Sequence, residues 1–321
     1  MLIDPALDQI HRYMGLLSKE GLRLHYLVDT HTHADHFSAV RQLKRELGVP
    51  AVMHRNSAAP HADMRIEDGE MLIAGDLHIQ AMHTPGHTSD SMCLLVEDRI
   101  FTGDTLLIGG TGRTDLPSGD PDALYDSLFN GILKLDPALQ VFPAHAYKEK
   151  KSTTLAEEIA SNPRLQQRER AAFVAMMNQL NLAAPDHMTE ALRINMNGGK
   201  SVQQLLDEAA AIVPFIALEE LHGRLGTSNS LIVLDLREPG AFAAGHIPGA
   251  RNLPRGQLEL VVNTALPDPT LPIVTVCEYG KISTLGAATL RELGFQRASA
   301  LHGGMNAWRE RDYPVEEGAG N

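Results

Sequence analysis

The segment Thr30-His31-Thr32-His33-Ala34-Asp35-His36 places three imidazoles and a carboxylate within one short stretch of chain. It follows the apolar run Leu24-His25-Tyr26-Leu27-Val28-Asp29, which predicts a short buried strand that ends where the polar cluster begins. Imidazole and carboxylate are the groups with which proteins bind first-row transition metals. A loop that carries several of them at the end of a strand predicts a metal site.

Three segments farther along the chain offer further ligands, and each follows a predicted strand. They are His83-Thr84-Pro85-Gly86-His87-Thr88, Phe101-Thr102-Gly103-Asp104 and Phe142-Pro143-Ala144-His145. Loops at strand ends converge on one edge of a sheet. We therefore expect His87, Asp104 and His145 to join the first cluster.

The composition limits the class of protein. With 321 residues, 43% of them hydrophobic, the chain is long enough for two domains with ordinary cores. Its net charge of −12 and lack of a Lys/Arg-rich block argue against a nucleic-acid or anionic-membrane surface. No apolar run approaches the roughly 20 residues of a membrane span, and no secretory signal is visible. Cys93 and Cys277 cannot form a disulfide framework, so we expect a cytoplasmic protein. The charge and the lack of an apolar span predict that it has no nucleic-acid or membrane partner.

Short apolar runs alternate with Gly, Pro and Asp turns up to about residue 150, which predicts an α/β domain with several hairpins. The strand candidates are 51–54, 77–82, 91–97, 99–102 and 140–143, and the helix candidates are 9–17, 37–47 and 121–134. A helix near 164–180 and an irregular connector follow. Beyond a boundary near 200, Leu231-Ile232-Val233-Leu234-Asp235 and Ile273-Val274-Thr275-Val276-Cys277 are typical of buried parallel strands, and 284–293 predicts a helix.

Cys277 is a candidate reactive thiol because it lies at a predicted strand-to-helix turn. Such a turn offers free backbone N–H groups and the positive end of a helix dipole, and both stabilise a thiolate or a bound persulfide. Buried packing is the alternative for a cysteine at the end of a strand. Cys93 has apolar neighbours and is expected in a core.

Residues 1–200 resemble the metallo-β-lactamase superfold, an αββα sandwich, in the motifs quoted above. Within that superfold, the segment Gly103-Asp104-Thr105-Leu106-Leu107-Ile108-Gly109-Gly110-Thr111-Gly112-Arg113-Thr114-Asp115 resembles the persulfide dioxygenases rather than the hydrolytic glyoxalase II enzymes. Arg65-Ile66-Glu67-Asp68-Gly69 and Asn162-Pro163-Arg164-Leu165 share that resemblance. Family members usually have a β-hairpin ahead of the strand that ends in Ile3-Asp4-Pro5. We expect either a start codon assigned too far downstream or a first sheet without its edge strands.

The resemblance implies one iron(II) per chain, held by His31, His87 and Asp104. This is the facial triad of two histidines and one carboxylate, which leaves coordination positions open for substrate and O₂. The residues that would orient these ligands and the substrate are His33, Asp35, His36 and His145. In the alternative hydrolase, the same seven residues would hold two zinc or iron ions bridged by a hydroxide. Arg113 could position an anionic thiol substrate, or it could form a structural ion pair.

Residues 205–321 resemble a rhodanese domain, an α/β fold with a parallel sheet. The motifs are Leu234-Asp235-Leu236-Arg237-Glu238-Pro239, Ala243-Ala244-Gly245-His246-Ile247-Pro248-Gly249-Ala250-Arg251-Asn252 and Leu301-His302-Gly303-Gly304-Met305-Asn306-Ala307-Trp308. The resemblance implies that Cys277 accepts a sulfane sulfur and passes it to a thiol. Because Glu278 and Ile282 stand where basic residues are frequent, Lys281 is the main cation for thiosulfate, and we expect weak thiosulfate binding.

Together the two halves predict an iron(II) persulfide dioxygenase fused to a sulfurtransferase. Its partners would be a small persulfide, most simply glutathione persulfide, with O₂ and thiosulfate or sulfite, and we expect a homo-oligomer. A thioester hydrolase of the glyoxalase II type with a rhodanese appendage is the main alternative. A non-catalytic sulfur carrier or sensor is another.

Overall fold

The computed structural model describes residues 1–146, 150–225 and 231–318. The chain divides into two compact units, Met1–Gly199 and Lys200–Asn321. Each unit has its own hydrophobic core, and each is described by itself. No helix among the described residues is long and apolar enough to cross a membrane.

The first sheet of the N-terminal unit consists of short parallel strands. In spatial order they are β1 (Leu2–Ile3), β2 (Leu27–Val28), β3 (Ala51–His54) and β4 (Met64–Ile66). Strands β2 and β3 are buried along their whole length, as expected for parallel strands that are covered on both faces. Among the described residues β1 is the edge strand, and the expectation about the start codon stays a prediction.

The second sheet is mostly antiparallel. Its strands are β5 (Met71–Ala74), β6 (Leu77–His83), β7 (Met92–Val96), β8 (Arg99–Gly103), β11 (Gln140–Pro143) and β12 (Thr153–Thr154), in the order β12-β11-β8-β7-β6-β5. A small hairpin of β9 (Leu106–Leu107) and β10 (Gly110–Thr111) follows β8. Strands β8 and β11 pair in parallel, so the carboxyl ends of both point the same way.

The two sheets pack face to face. Val28 and Val52 of the first sheet share a buried cluster with Ile79, Met92 and Leu94 of the second. Where β3 and β6 end, the rings of His54 and His83 stack with centroids 3.8 Å apart and planes inclined by 6°. Apolar burial and this ring contact together hold the sandwich closed.

Helices cover the outer faces of both sheets. Those of the N-terminal unit are α1 (Ile10–Glu20), α2 (Val40–Leu47), α3 (Pro121–Tyr125), α4 (Leu155–Ser161), α5 (Arg170–Asn178) and α6 (Met188–Asn197). Ile10 and Leu43 bury their side chains against β2 and β3. Leu124, Leu155 and Phe173 bury theirs against the second sheet. The unit is therefore the αββα sandwich that the sequence predicts.

The C-terminal unit is a parallel sheet with helices on both faces. Its strands are β13 (Phe215–Ile216), β14 (Ile232–Asp235), β15 (Arg251–Asn252), β16 (Ile273–Val276) and β17 (Ala298–Leu301), in the order β13-β17-β16-β14-β15. Its helices are α7 (Val202–Ile212), α8 (Leu218–Arg224), α9 (Pro239–Ala243), α10 (Leu258–Ala265), α11 (Lys281–Glu292) and α12 (Gly304–Glu310). Trp308 is fully buried and donates its indole N–H to the Pro314 carbonyl at 2.9 Å. The predicted parallel α/β fold is confirmed.

Three parts of the sequence prediction differ from the structure. The single helix expected over 121–134 begins as α3, continues as a π-helix over Asp126–Gly131 and ends as a 3-10 turn over Ile132–Lys134. The expected irregular connector contains α6, whose buried residues are Ala191, Ile194 and Asn195. The single helix expected near 164–180 is a 3-10 turn over Pro163–Gln166 followed by α5. Pro163 at the start of the turn and the non-helical Gln167 at its end keep the two segments apart.

Candidate functional site

The candidate metal ligands His31, His87 and Asp104 lie together in the N-terminal unit. His31 follows β2, His87 follows β6 and Asp104 directly follows β8. The potential ligand atoms of the three side chains lie within 4.8 Å of one another, and all three residues are buried. His87 Nε2 is 3.7 Å from Asp104 Oδ2. The geometry fits a single cation held by two imidazoles and a carboxylate.

Hydrogen bonds fix which nitrogen of each imidazole faces the site. Thr30 Oγ1 donates to Asp4 Oδ2 at 2.8 Å, so it accepts the proton of His31 Nδ1 at 2.9 Å. His87 Nδ1 donates to the Arg113 carbonyl at 2.8 Å. In each ring the proton is on Nδ1 and the lone pair of Nε2 is available to bind a metal. Hydrogen-bond partners around metal sites commonly orient metal-bound histidines in this way.

Two buried atoms at the centre lack a partner within the part of the chain that the structure describes. His31 Nε2 and Asp104 Oδ1 have no hydrogen bond from the described residues. Burial, followed by the neighbouring His33 and His87, lowers the pKa of His31 well below its ordinary range. A neutral imidazole and a free carboxylate oxygen that share a buried pocket fit a metal ion.

A second group of polar side chains adjoins these ligands. Asp35 Oδ2 lies 3.2 Å from His36 Nδ1 and 3.2 Å from His145 Nε2. His145 Nε2 is also 3.5 Å from Asp104 Oδ2. Burial opposes ionisation of Asp35, but hydrogen bonds from His145 and His36 outweigh it and lower its pKa. The hydrogen bond with Asp35 in turn raises the pKa of His145.

The two ring nitrogens of His33 have different surroundings, since Nε2 faces carboxylates and Nδ1 has no hydrogen-bond partner among the described residues. Its Nε2 lies 3.1 Å from Asp4 Oδ1 and 3.7 Å from Asp29 Oδ1. Burial disfavours the imidazolium, yet the carboxylates of Asp4 and Asp29 raise the pKa of His33 to about 10. His33 Nδ1 and His36 Nε2 have no hydrogen-bond partner among the described residues.

Asp4 anchors the histidine loop, a role that the sequence reasoning missed. Its Oδ1 accepts the Thr30 N–H at 2.7 Å, and its backbone adopts a left-handed φ of 47°. Such a conformation costs free energy in a residue other than glycine, and the hydrogen bonds of Asp4 offset that cost. An acidic residue between the apolar Leu2-Ile3 and Pro5 is the sequence signal that could have revealed it.

Asn195 of α6 supports the same loop and was also missed. Its side-chain amide donates to the carbonyls of His33 and His36, both at 2.9 Å, and accepts the Ser38 N–H at 3.1 Å. Asn195 begins the segment Asn195-Met196-Asn197-Gly198-Gly199, whose composition favours a loop. The composition gave no signal for this contact.

Two glycines allow the ligand loops to approach each other. A Cβ at Gly112 would lie 1.9 Å from the Asp104 carbonyl oxygen, and one at Gly103 would lie 2.5 Å from Thr30 Oγ1. Any larger residue would push apart the segments that carry Asp104 and His31. The glycines of the Gly103–Asp115 segment therefore have a steric role in the site.

Arg113 is engaged by groups of the protein. Its Nε and Nη2 donate to the two carboxylate oxygens of Asp115 at 2.6 and 2.7 Å, and its Nη1 donates to the Ala183 carbonyl at 2.6 Å. This bidentate pair corresponds to the structural alternative considered for Arg113. Binding of an anionic substrate by Arg113 stays a prediction.

The thiol site of the C-terminal unit lies between β16 and α11. Cys277 is 2% exposed, and its Sγ accepts the Ser283 N–H at 3.2 Å. The N–H groups of Met305 and Asn306 bind the carbonyls of Cys277 and Glu278. A Cβ at Gly304 would lie 2.4 Å from the Cys277 carbonyl oxygen, so the glycine lets α12 support the loop closely. Lys281 is exposed in the first turn of α11.

Cys93 has a different environment from Cys277. It is fully buried in the core of the N-terminal unit, where burial raises its pKa to about 11. Its Sγ contacts Thr84 Oγ1 at 3.3 Å and the Thr102 carbonyl at 3.6 Å. This thiol is a packing group, as the sequence predicts.

Comparison with known proteins identifies the family. Residues 1–145 match the Metallo-beta-lactamase superfamily, and residues 217–311 match the Rhodanese-like domain. Over 202 residues the chain is 39% identical to the protein "Persulfide dioxygenase ETHE1, mitochondrial" of Bos taurus, which covers 62% of this chain and 79% of that protein. The chain belongs to the persulfide dioxygenase family.

Solved structures agree with membership in the persulfide dioxygenase family. The crystal structure of ETHE1 from Myxococcus xanthus superposes with a TM-score of 0.60 at 38% identity, covering 61% of this chain and 88% of that one. A metallo-beta-lactamase structure from Staphylococcus aureus has a TM-score of 0.58 at 22% identity and covers 94% of this chain and 90% of that one. The second likeness concerns the fold alone. The chain is thus a persulfide dioxygenase homologue with a C-terminal rhodanese-like domain.

Proposed function

We propose that the protein is an iron(II)-dependent persulfide dioxygenase, with one iron per chain held by His31, His87 and Asp104. One observation in this member of the family carries the proposal. The ligand atoms of the three residues converge in a buried place, and two of these atoms have no hydrogen-bond partner among the described residues. Iron(II) bound there supplies the redox chemistry by which O₂ and water convert R–S–SH into R–SH and sulfite, with release of protons. Glutathione persulfide is the substrate proposed first.

The residues of the chain prepare this site before any substrate arrives. Thr30 and the Arg113 carbonyl hold the two rings in one tautomer, and Asp4 orients Thr30. His31, His87 and Asp104 would supply three ligands to an iron ion, and its remaining coordination positions would be available to substrate. Preorganisation of this kind lowers the reorganisation cost of binding and reaction.

We further propose that Cys277 transfers sulfane sulfur. Its thiolate would take the outer sulfur of thiosulfate with release of sulfite, or of an organic persulfide with release of the thiol, and then pass that sulfur to a second thiol. The Ser283 N–H on Sγ and the first turn of α11 support an anionic sulfur there. Transfer to glutathione would produce the persulfide that the metal centre consumes.

A binuclear thioester hydrolase is the second candidate function. The observation that favours it is the group of His33, Asp35 and His36, whose potential ligand atoms also lie within 4.8 Å of one another. The unpartnered His33 Nδ1 and His36 Nε2 could bind a further ion. The number and kind of metal ions separate the two functions.

The decisive experiment combines metal analysis with an oxygen electrode. We expect one iron per chain and O₂ uptake on addition of glutathione persulfide. His87→Ala should lose both, whereas His78→Ala, which changes an exposed residue of β6, should retain both. Two zinc ions per chain, or no O₂ uptake by an iron-loaded sample, would contradict the dioxygenase.

Sulfur transfer is tested with Cys277→Ser. We expect this variant to lose thiosulfate-dependent labelling and the thiosulfate–glutathione reaction, while Cys93→Ala retains both. Unchanged activity of Cys277→Ser would contradict transfer at Cys277, and absence of wild-type labelling by both thiosulfate and glutathione persulfide would favour the carrier or sensor alternative. The predicted homo-oligomer and cytoplasmic location are checked by light scattering and by cell fractionation.

A further inference from the structure

The carboxylate of Glu278, next to the candidate thiol, is bound by two arginines. Arg309 of α12 donates from Nη1 to Oε1 at 2.5 Å and from Nη2 to Oε2 at 3.3 Å. Arg237, which follows β14, donates from Nη1 to Oε2 at 3.1 Å. Hydrogen bonds from Arg309, and then from Arg237, hold the pKa of Glu278 below its ordinary range. The carboxylate is therefore ionised at neutral pH.

The charges around this loop balance one another. Arg237 also donates to Asp235 Oδ2 at 2.7 Å in a buried ion pair. The guanidinium groups of Arg237 and Arg309 thus pair with two carboxylates, those of Asp235 and of Glu278, the residue that follows Cys277. Within the segment from Cys277 to Ser283, Lys281 is the basic residue. The Glu278 carboxylate therefore already accepts the hydrogen bonds that Arg237 and Arg309 could otherwise donate to an incoming anion.

The outer surface of the loop carries two apolar side chains beside the exposed cation Lys281. The side chains of Tyr279 and Ile282 are 69% and 50% exposed. An inorganic dianion gains nothing from such groups, because they offer neither charge nor hydrogen-bond donors at their apolar surfaces. An organic thiol carrier can bury part of them.

Resting on the sulfur transfer proposed above, we propose that Glu278 determines the donor class at Cys277, favouring organic persulfides over thiosulfate. With a persulfide, the Cys277 thiolate attacks the outer sulfur of R–S–SH and forms a new S–S bond. The old S–S bond breaks, its electron pair leaves with the inner sulfur as R–S⁻, and the proton stays on the outer sulfur. With thiosulfate the same bonds form and break and sulfite leaves, but a dianion must approach a thiolate beside the Glu278 carboxylate.

The test is the rate constant for persulfidation of Cys277, followed by mass spectrometry in the full-length protein. Thiosulfate and glutathione persulfide serve as donors under anaerobic conditions, so that the metal centre cannot oxidise the persulfide. We expect Glu278→Gln to raise the rate constant for thiosulfate about tenfold, as expected when one nearby negative charge is removed. The rate constant for glutathione persulfide should change less than about twofold, since its attacked end carries no fixed charge.

Two further variants separate this role from a structural one. Glu259 lies on α10 of the same unit, and its carboxylate pairs with Arg255. The variant Glu259→Gln should leave both rate constants unchanged. In the double variant Glu278→Gln/Arg309→Met, the gain with thiosulfate should be smaller than in Glu278→Gln alone, since Arg309 is one of the two guanidinium groups that Glu278 releases. The gain in the single variant should also shrink at high salt.

The outcomes distinguish this inference from the proposed sulfur transfer. If the wild type reacts with neither donor, transfer at Cys277 is wrong and the role of Glu278 falls with it. If the wild type reacts but Glu278→Gln leaves the ratio of the two rate constants unchanged, only the role of Glu278 is wrong. Equal changes for both donors would likewise show a structural residue rather than one that selects the donor. Retention of the full gain in the double variant would contradict the recruitment of Arg309.

Discussion

Thr30 shows how a single hydroxyl can prepare a metal ligand. It gives its proton to Asp4 and accepts the Nδ1 proton of His31, which leaves Nε2 of that ring facing Asp104. The sequence predicts the ligand types, since clustered histidines and strand-end carboxylates have recognisable spacing. It cannot predict the partners, because the contact between Asp4 and Thr30 spans 26 positions and that between Asn195 and His33 spans 162.

Replacement of the Thr30 hydroxyl should weaken metal binding. We expect Thr30→Val to lower iron affinity about 10- to 100-fold, the usual effect of removing a group that orients a ligand. Thr30→Ser keeps the hydroxyl and should restore most of the affinity. Titration of the apoprotein with iron(II) in competition with a chelator measures both. Equal affinities for the valine and serine variants would contradict a role of the Thr30 hydroxyl in metal binding.

A methyl group at Gly112 should disrupt the same centre from the opposite side. Since its Cβ would meet the Asp104 carbonyl oxygen at 1.9 Å, Gly112→Ala must displace the segment that carries Asp104. We expect a loss of about 1–3 kcal/mol in the free energy of unfolding, together with loss of bound metal. Gly110→Ala is the matched control, because a Cβ there has no neighbour within 4 Å. Thermal denaturation and metal analysis compare the two variants, and normal metal content in Gly112→Ala would contradict the steric role.

At the scale of helices and strands, predictability followed the strength of the apolar pattern. The predicted strands 51–54 and 140–143 agree with β3, which is buried along its whole length, and with β11, which buries Val141. Strand β5 is not among the predicted strands, and two of its four residues are exposed. Helix α6 lies before a Gly-Gly pair in a polar segment, and its position depends on contacts with the histidine loop. Local sequence carries little information about such long-range contacts.

The stacked rings of His54 and His83 predict a pH-dependent link between the two sheets. Burial, with help from His83, lowers the pKa of His54 to about 4. Between pH 6.5 and 4 the unfolded chain therefore binds a proton that the folded chain does not, and stability falls as the pH falls through this range. The contribution of His54 amounts to at most about 3 kcal/mol and is fully present above pH 6.5.

The difference between wild type and His54→Phe isolates this contribution. The phenylalanine keeps a ring against His83 but does not titrate, so the variant should lose less stability between pH 6.5 and 4. His78→Gln, at an exposed position of β6, should follow the wild type. Denaturant unfolding at several pH values measures the slopes, and parallel slopes for wild type and His54→Phe would show that His54 does not titrate in this range.

At the scale of the whole molecule, each compact unit contains one complete set of reactive groups. The candidate metal ligands all belong to Met1–Gly199. Cys277 and the two arginines that bind Glu278 belong to Lys200–Asn321. Apolar patterning predicted an α/β domain on each side of residue 200, and the motif resemblances implied the αββα sandwich and the rhodanese fold. The sequence pattern does not predict the ion pairs of Glu278, because Arg309 becomes its neighbour only after α12 has folded against the Cys277 loop.

Removal of the metal should destabilise the N-terminal unit selectively. A ligand present at about a thousand times its Kd stabilises the state that binds it by about 4 kcal/mol. We expect chelation to accelerate amide hydrogen exchange in β2, β6 and β8, which lead into the ligand loops, and re-addition of iron(II) to reverse the change. Amides of Lys200–Asn321 serve as the internal reference. Equal acceleration throughout the chain would contradict a metal site confined to the first unit.

Trp308 gives the molecule an internal optical probe. It is the one tryptophan in the sequence, it is fully buried, and it lies on α12, whose first N–H groups hold the Cys277 loop. Indole emission therefore reports on the C-terminal unit, while the N-terminal unit contributes no tryptophan signal. We expect arrival of a sulfur atom on Cys277 to change this emission, because α12 holds the Cys277 loop, so that the reaction can be followed in real time without any attached dye.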